Sequence, residues 1–248
     1  MKRRTFLVGF GTLFYYGSAG TSTSAAATLS QRVSELSAEI QIRRENGRTV
    51  TIDWIAQIAG SDLSETHKRI VAFELVRNVP YKLTAWNGNP DALFDLGRGD
   101  CRHKSKALIR LLRAWKLEAR PVQVPFDWAD LPIPETVLQP LSETRGIHDS
   151  VDVKINGKWT LVDATWDPAL GAVGFPVNPA WNGLSETLPI TPKATTIIRS
   201  GDLKAGENPY SRFKINWPKR SEILAFNRLF NRWSDDVRSN ASTEGRRP

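Results

Sequence analysis

The sequence predicts an α+β protein in which helices and an antiparallel hairpin come from separate stretches of the chain. A helical stripe follows Cys101, an Asn-Gly pair at 156–157 divides two runs of strand character, and another helical stripe spans Ser221 to Val237. At 248 residues and 40% hydrophobic side chains, the chain can bury one sizeable core.

The helix at Cys101 is the firmest element. Ala107, Leu108, Leu111, Leu112 and Trp115 fall at i, i+1, i+4, i+5 and i+8, with Lys104, Lys106, Arg110 and Arg113 on other faces. Asp100 is a suitable N-cap, which puts Cys101 in the first turn. In the hairpin, Val151–Ile155 alternates with period two, Asn156-Gly157 turns, and Lys158 to Asp163 returns. A two-residue turn pairs Ile155 with Lys158, Ser150 with Asp163 and His148 with Thr165. His148 and Asp163 then share one face as diagonal neighbours, roughly 7–8 Å apart at Cα. A one-residue slip of register would put them on opposite faces.

The remaining elements read less sharply. Val33, Leu36 and Ile40 hint at a helix, and residues 52–58 are too irregular to assign. Ser61-Asp62 offers an N-cap for a helix carrying Ile70, Val71, Phe73, Leu75 and Val76, which Pro80 stops. Arg120 to Val124 reads as a strand with Pro121 near its start. Residues 125–147 form a Pro-rich connection whose Phe126 and Trp128 suit the wall of a cleft, and residues 171–219 read as covering loops and short strands. Nine tryptophans suit either such a cleft or an ordinary core. The closing stripe is Ile223, Leu224, Phe226, Leu229, Phe230 and Trp233, expected to pack back on the domain.

The chain starts with Lys2-Arg3-Arg4, an apolar run from Phe6 to Tyr16 and then Ala25-Ala26-Ala27, the order of a cleaved signal peptide over residues 1–27. Arg3-Arg4 followed by Thr5, Phe6 and Leu7 resembles the twin-arginine export signal, which implies a bacterial protein in the periplasm or otherwise outside the cytoplasm. The apolar run is too short for a stable membrane span after cleavage. A single domain is expected over residues 28–240, with a frayed tail at 241–248. The formal charge is +8, and without Lys2, Arg3 and Arg4 there remain 31 bases against 26 acids, near +5. That mild excess forms no dense basic stripe, so nucleic acid is not an expected partner.

A lone cysteine in an exported chain signals an intermolecular bond, a reactive thiol or an inert buried residue. The local pattern favours reactivity. A helix N-terminus and a nearby imidazolium both stabilise thiolate, and His148 supplies the imidazole. Asp163 would fix its tautomer and its charge. Backbone N–H groups at the helix start, that of Cys101 included, point where an oxyanion forms, and Gly97 and Gly99 keep that approach clear.

Gly97-Arg98-Gly99-Asp100-Cys101, with the helix ending in Leu117-Glu118-Ala119-Arg120, resembles the nucleophile segment of the transglutaminase-like superfamily. His148 before its strand, Gly157-Lys158-Trp159, and Leu161 to Asp167 resemble that family's His and Asp segments, over about residues 70–170 in all. The resemblance implies a papain-like core in which the nucleophile helix packs on an antiparallel sheet carrying His and Asp. It implies Cys101, His148 and Asp163 as catalytic residues, with no cofactor or metal. Lys116 stands where the family usually has glycine at the helix end, and Asp149-Ser150 where an aromatic commonly follows the histidine.

Several residues are set aside. His103 is two residues from Cys101 and thus on another helix face, and His67 sits among polar neighbours. Tyr81 and Trp86 suit core packing before a cleft wall or an oxyanion donor. Arg98-Gly99-Asp100 is read as nucleophile loop, not as an adhesion tripeptide. One Cys and three His make no zinc set. The expected function is an exported cysteine protease, amidase or acyltransferase acting on peptide or protein carboxamides, cell-wall peptide among them. The alternative is a silent binding or scaffolding module of the cell envelope.

Overall fold

The computed structural model describes residues 20–59, 62–84, 89 and 92–244. The helices are α1 (Gly20–Glu45), α2 (Ile52–Ile58), α3 (Glu65–Asn78), α4 (Leu93–Leu96), α5 (Cys101–Ala114), α6 (Glu135–Leu138), α7 (Pro209–Arg212) and α8 (Arg220–Glu244). The strands β1 (Ala119–Asp127), β2 (Arg145–Ile155) and β3 (Lys158–Val162) form one antiparallel sheet in the order β1-β2-β3. The α+β class follows directly. Of the expected targeting segment, residues 1–19 lie outside the described residues, and the backbone is helical from Gly20.

Local chemistry accounts for the elements and for the departures from expectation. Helix α2 is real but has seven residues, burying only Ile52 and Ile55, too few to show a period. The expected cap at Ser61-Asp62 is not used; Ser64 caps α3 by accepting from the His67 N–H, and Ser61 lies outside the described residues. Val79, forced out of helical geometry by Pro80, ends α3 in extended conformation.

The hairpin has the expected register, Ile155 opposite Lys158 and Val151 opposite Val162. Asn156 at φ 50 and Gly157 at φ 81 supply the left-handed pair that such a turn requires. Strand β1 is longer than expected, with both Pro121 and Pro125 inside it. Gln123 exchanges backbone hydrogen bonds with Ile198 on the side away from β2. Pro121 and Pro125 share its parity, so their missing N–H groups fall on that outer edge and the ladder to β2 loses nothing.

Two apolar clusters flank the sheet. One joins α1, α2, α3 and α5 to Val151, Val153 and Val162. The other sets Phe226 and Phe230 of α8 against Tyr81, Val124, Trp166, Leu170 and Phe175. Helix α8 therefore packs back as expected, but it continues past Asn240 to Glu244; residues 245–248 lie outside the described residues. The segment 171–219 is mostly irregular, and its expected short strands reduce to the single bridge at Ile198. No described helix is long and apolar enough to cross a membrane.

Candidate active site

Cys101 opens α5 and is held there by Asp100. Asp100 Oδ1 accepts from the Arg102 N–H at 3.1 Å, the His103 N–H at 3.4 Å and lies 2.8 Å from His103 Nδ1. Its Oδ2 accepts from Thr84 Oγ1 at 2.6 Å and Arg102 Nη2 at 2.9 Å. Burial pushes this carboxyl up, but the bonds from His103, Arg102 and Thr84 win and hold it well below the usual carboxylate range. This cap narrows the expected oxyanion donors. The Arg102 and His103 N–H groups are spent on Asp100, which leaves the Cys101 N–H as the helix-start donor to consider.

His148 reaches Cys101 from β2, where β3 no longer covers the strand. Its imidazole lies beside the thiol and favours thiolate there, and its Nε2 lies 2.5 Å from Asp163 Oδ2. Nδ1 is thus the nitrogen on the cysteine side. Asp163 is saturated: Ser150 Oγ donates to Oδ2 at 2.9 Å, and the Thr165 N–H donates to Oδ1 at 2.9 Å. The Asp163 N–H donates to Thr187 Oγ1 at 2.7 Å. Thr165 Oγ1 stands 3.5 Å from His148 Nε2. The three residues named from the sequence thus meet in one line.

The electrostatics follow from this geometry. Burial works against a charged His148, yet the charge and hydrogen bond of Asp163, aided by Cys101, raise it to about 10. Asp163 is pushed up by burial and drawn down further by His148 and Thr165, ending below its ordinary value. Burial pushes the Cys101 thiol up, and the hydrogen bond and charge of His148 only partly offset it, while Asp149 and Asp100 add to the rise. Asp163 thus favours the charged imidazole, which in turn favours thiolate at Cys101.

Cys101 is partly exposed to a cavity of about 480 Å³. Phe126, Trp128 and Leu141 line it, so the Pro-rich connection does form a wall, though its first residues extend β1. Tyr81 lines it from a buried position, its ring edge-on to Trp166 at 4.6 Å. The tryptophans serve both expected ends: Trp115 and Trp181 are core, and Trp128 and Trp217 are cavity wall. Trp86 lies outside the described residues. Tyr210 and Trp217, stacked at 4.0 Å, also face the cavity. No periodicity in their segment marked them. Asp167 was visible in the motif but not its task, which is to accept from the Tyr81 N–H and from Arg238 Nη2, each at 2.8 Å.

Other expectations resolve plainly. His103 is buried against Asp100 and takes no part in the Cys101 line. Asp100 is 5% exposed, so the Arg98-Gly99-Asp100 tripeptide is not presented for adhesion. The glycines differ from expectation. A Cβ on Gly99 would stand 2.5 Å from His103 Cβ and 2.8 Å from Leu93 Cδ1. Gly97 takes φ +61 beside Arg44. Both serve chain packing and turning, not substrate access. Among the described residues no group of His, Cys, Asp and Glu is arranged to hold a metal.

Residues 53–164 match the model of the family described as the transglutaminase-like superfamily. A search of curated proteins gives no match. Among solved structures, the 1.9 Å crystal structure of a Cytophaga hutchinsonii protein proposed to be a cysteine protease is similar at 19% identity and a TM-score of 0.33. That similarity covers 46% of this chain and 36% of the other, an overlap too slight to carry anything across.

Proposed function

We propose that the protein, whose residues 53–164 match the model of the transglutaminase-like superfamily, is a cysteine acyl-transfer enzyme whose nucleophile, base and orienting acid are Cys101, His148 and Asp163. The observation that carries this reading is the line from the Cys101 thiol through the neighbouring His148 to a carboxylate that Ser150 and Thr165 also bond. Such a line fixes the imidazole tautomer and stabilises its cation.

In the reaction, Cys101 attacks a carboxamide or peptide carbonyl as thiolate, its proton taken up by His148, and the carbonyl electrons move to oxygen. The Cys101 N–H and the Tyr81 hydroxyl are the donors we assign to that oxyanion. Tyr81 keeps its proton because burial, and then the charges of Cys101, Asp100 and Asp163, push its phenol well above the ordinary value. Collapse breaks the C–N bond, the His148 proton leaves with the amine, and a thioester remains. Water or an amine, relieved of a proton by neutral His148, then attacks the thioester and frees Cys101. Hydrolysis, as by a protease or amidase, is the reading preferred from the site alone. With export by the twin-arginine segment, the substrates would be extracytoplasmic proteins or cell-wall peptides.

The test is intact-mass detection of an acyl adduct after exposure to a peptide library, with Cys101→Ala as control. An adduct on the wild type and none on the variant is expected. A second reading, a silent binding module, draws on the net upward push on the thiol. Alkylation of Cys101 separates the two: a rate no faster than an ordinary thiol, and indifferent to His148→Ala, would sink the enzyme reading.

A further inference from the structure

The acyl transfer proposed above leaves one charged group beside Cys101 without a task. Asp149 follows His148 on β2 and pairs across the sheet with Gln123 of β1. Gln123 Nε2 donates to Asp149 Oδ1 at 3.1 Å, and both residues line the cavity into which Cys101 opens. The amide therefore holds one carboxylate oxygen at the cavity and leaves the other without a side-chain partner among the described residues.

The other acids of the cavity are already engaged. Asp100 is shared among His103, Arg102 and Thr84. Glu143 accepts from Arg145 Nη2 at 2.6 Å and from Arg145 Nε at 2.9 Å. Asp149 has Gln123 as its side-chain partner among the described residues. Its charge also reaches the nucleophile, adding to burial in opposing thiolate at Cys101, and, after burial and Cys101, it adds to the upward push on the phenol of Tyr210. Arg102, which also lines the cavity, feels that charge but is bonded to Asp100, so the carboxylate still works against the nucleophile. A cation docked on it would remove that opposition at the moment the reactants are bound.

We propose that Asp149 is a specificity-determining residue of this cavity, which holds a cationic group of the reactants, an ammonium or a guanidinium, next to the reacting carbonyl. The proposal rests on the acyl-transfer reading. The cation has two chemical sources, a basic side chain of the acyl donor or the protonated amine that resolves the thioester. In the second case the ammonium gives one proton to solvent and its nitrogen bonds the acyl carbon. The C–S bond to Cys101 then breaks, and the second proton passes to His148.

The test uses two methanethiosulfonates of similar size on the whole protein, one carrying trimethylammonium and one carrying sulfonate. Both report on the same thiol, so the ratio of their rates cancels any change in thiolate fraction. Asp149→Asn keeps shape and the acceptor for Gln123, and it should lower the cationic-over-anionic ratio by about five- to tenfold for one unscreened charge nearby. An unchanged ratio overturns the proposal. Slow absolute rates that ignore His148→Ala would instead count against the acyl-transfer reading, whatever the ratio does. Two further arms find the source. One compares adduct formation from lysine and norleucine peptides; the other compares thioester partition between water and cadaverine. Loss of lysine preference in Asp149→Asn assigns the cation to the donor, and loss of amine partition assigns it to the acceptor. Neither loss, with adduct formation intact, overturns the proposal.

Discussion

Two buried histidine–aspartate pairs flank Cys101, and they do different things. Asp100 and His103, three residues apart on one helix start, meet at 2.8 Å. Asp163, just past the end of β3, and His148 of β2 meet at 2.5 Å. The second nitrogen of His148 lies on the cysteine side. That of His103 is buried without a hydrogen-bond partner among the described residues. The same two functional groups therefore make a cap in one place and a candidate base in the other. What separates them is where the free nitrogen points, which the sheet decides for His148 and the helix turn decides for His103.

The comparison breaks most readily on rate. His148→Ala should slow alkylation of Cys101 about a hundredfold or more at neutral pH, as loss of a paired base does. His103→Ala should leave that rate within about threefold, measured with iodoacetamide under the same conditions. Equal losses in both variants would erase the distinction. Asp163→Asn should cost about ten- to a hundredfold, because an amide in place of the carboxylate disturbs the tautomer and removes the counter-charge.

Stability sharpens the contrast from the other side. His103→Ala removes a fully buried ring and one of the partners of Asp100, so urea unfolding should show a loss of about 2–4 kcal/mol. The His148–Asp163 pair should reveal itself through pH. The folded-state value of His148 lies above its ordinary 6.5, at about 10. Its stabilisation is full below the unfolded value and is lost as pH rises through the folded one. The melting-temperature difference between wild type and His148→Gln should therefore shrink between about pH 6.5 and 10. A difference that grows over that window would mean the imidazole is buried neutral.

The smallest effect lies at the far end of the same helix. Lys116 stands at φ 62, a left-handed position where a side chain costs energy. Lys116→Gly should stabilise the fold by up to about 1 kcal/mol and leave alkylation of Cys101 unchanged. The departure from the family's usual glycine is thus a tolerated strain in a helix cap.

Legibility followed the range of the interactions. The helix at Cys101, its Asp100 cap and the hairpin register each depend on residues a few positions apart, so spacing alone revealed them. Ser150 opposite Asp163 was in the same register, and its hydroxyl does bond that carboxylate. Helix α2 hid because seven residues hold too little period. Tyr210 and Trp217 hid because an irregular segment carries no pattern that says which way its rings face.

The sequence by itself determined the α+β class, the helix start that bears Cys101, and the face shared by His148 and Asp163. Those are set by helix period, cap chemistry and the two-residue turn, all local. Only the tertiary structure decided that Gly99 makes room for His103 and Leu93, that Asp167 joins Tyr81 to Arg238, and that Asp149 faces the cavity with one oxygen held by Gln123. Each depends on close packing between elements distant along the chain, and no short spacing encodes which of them meet.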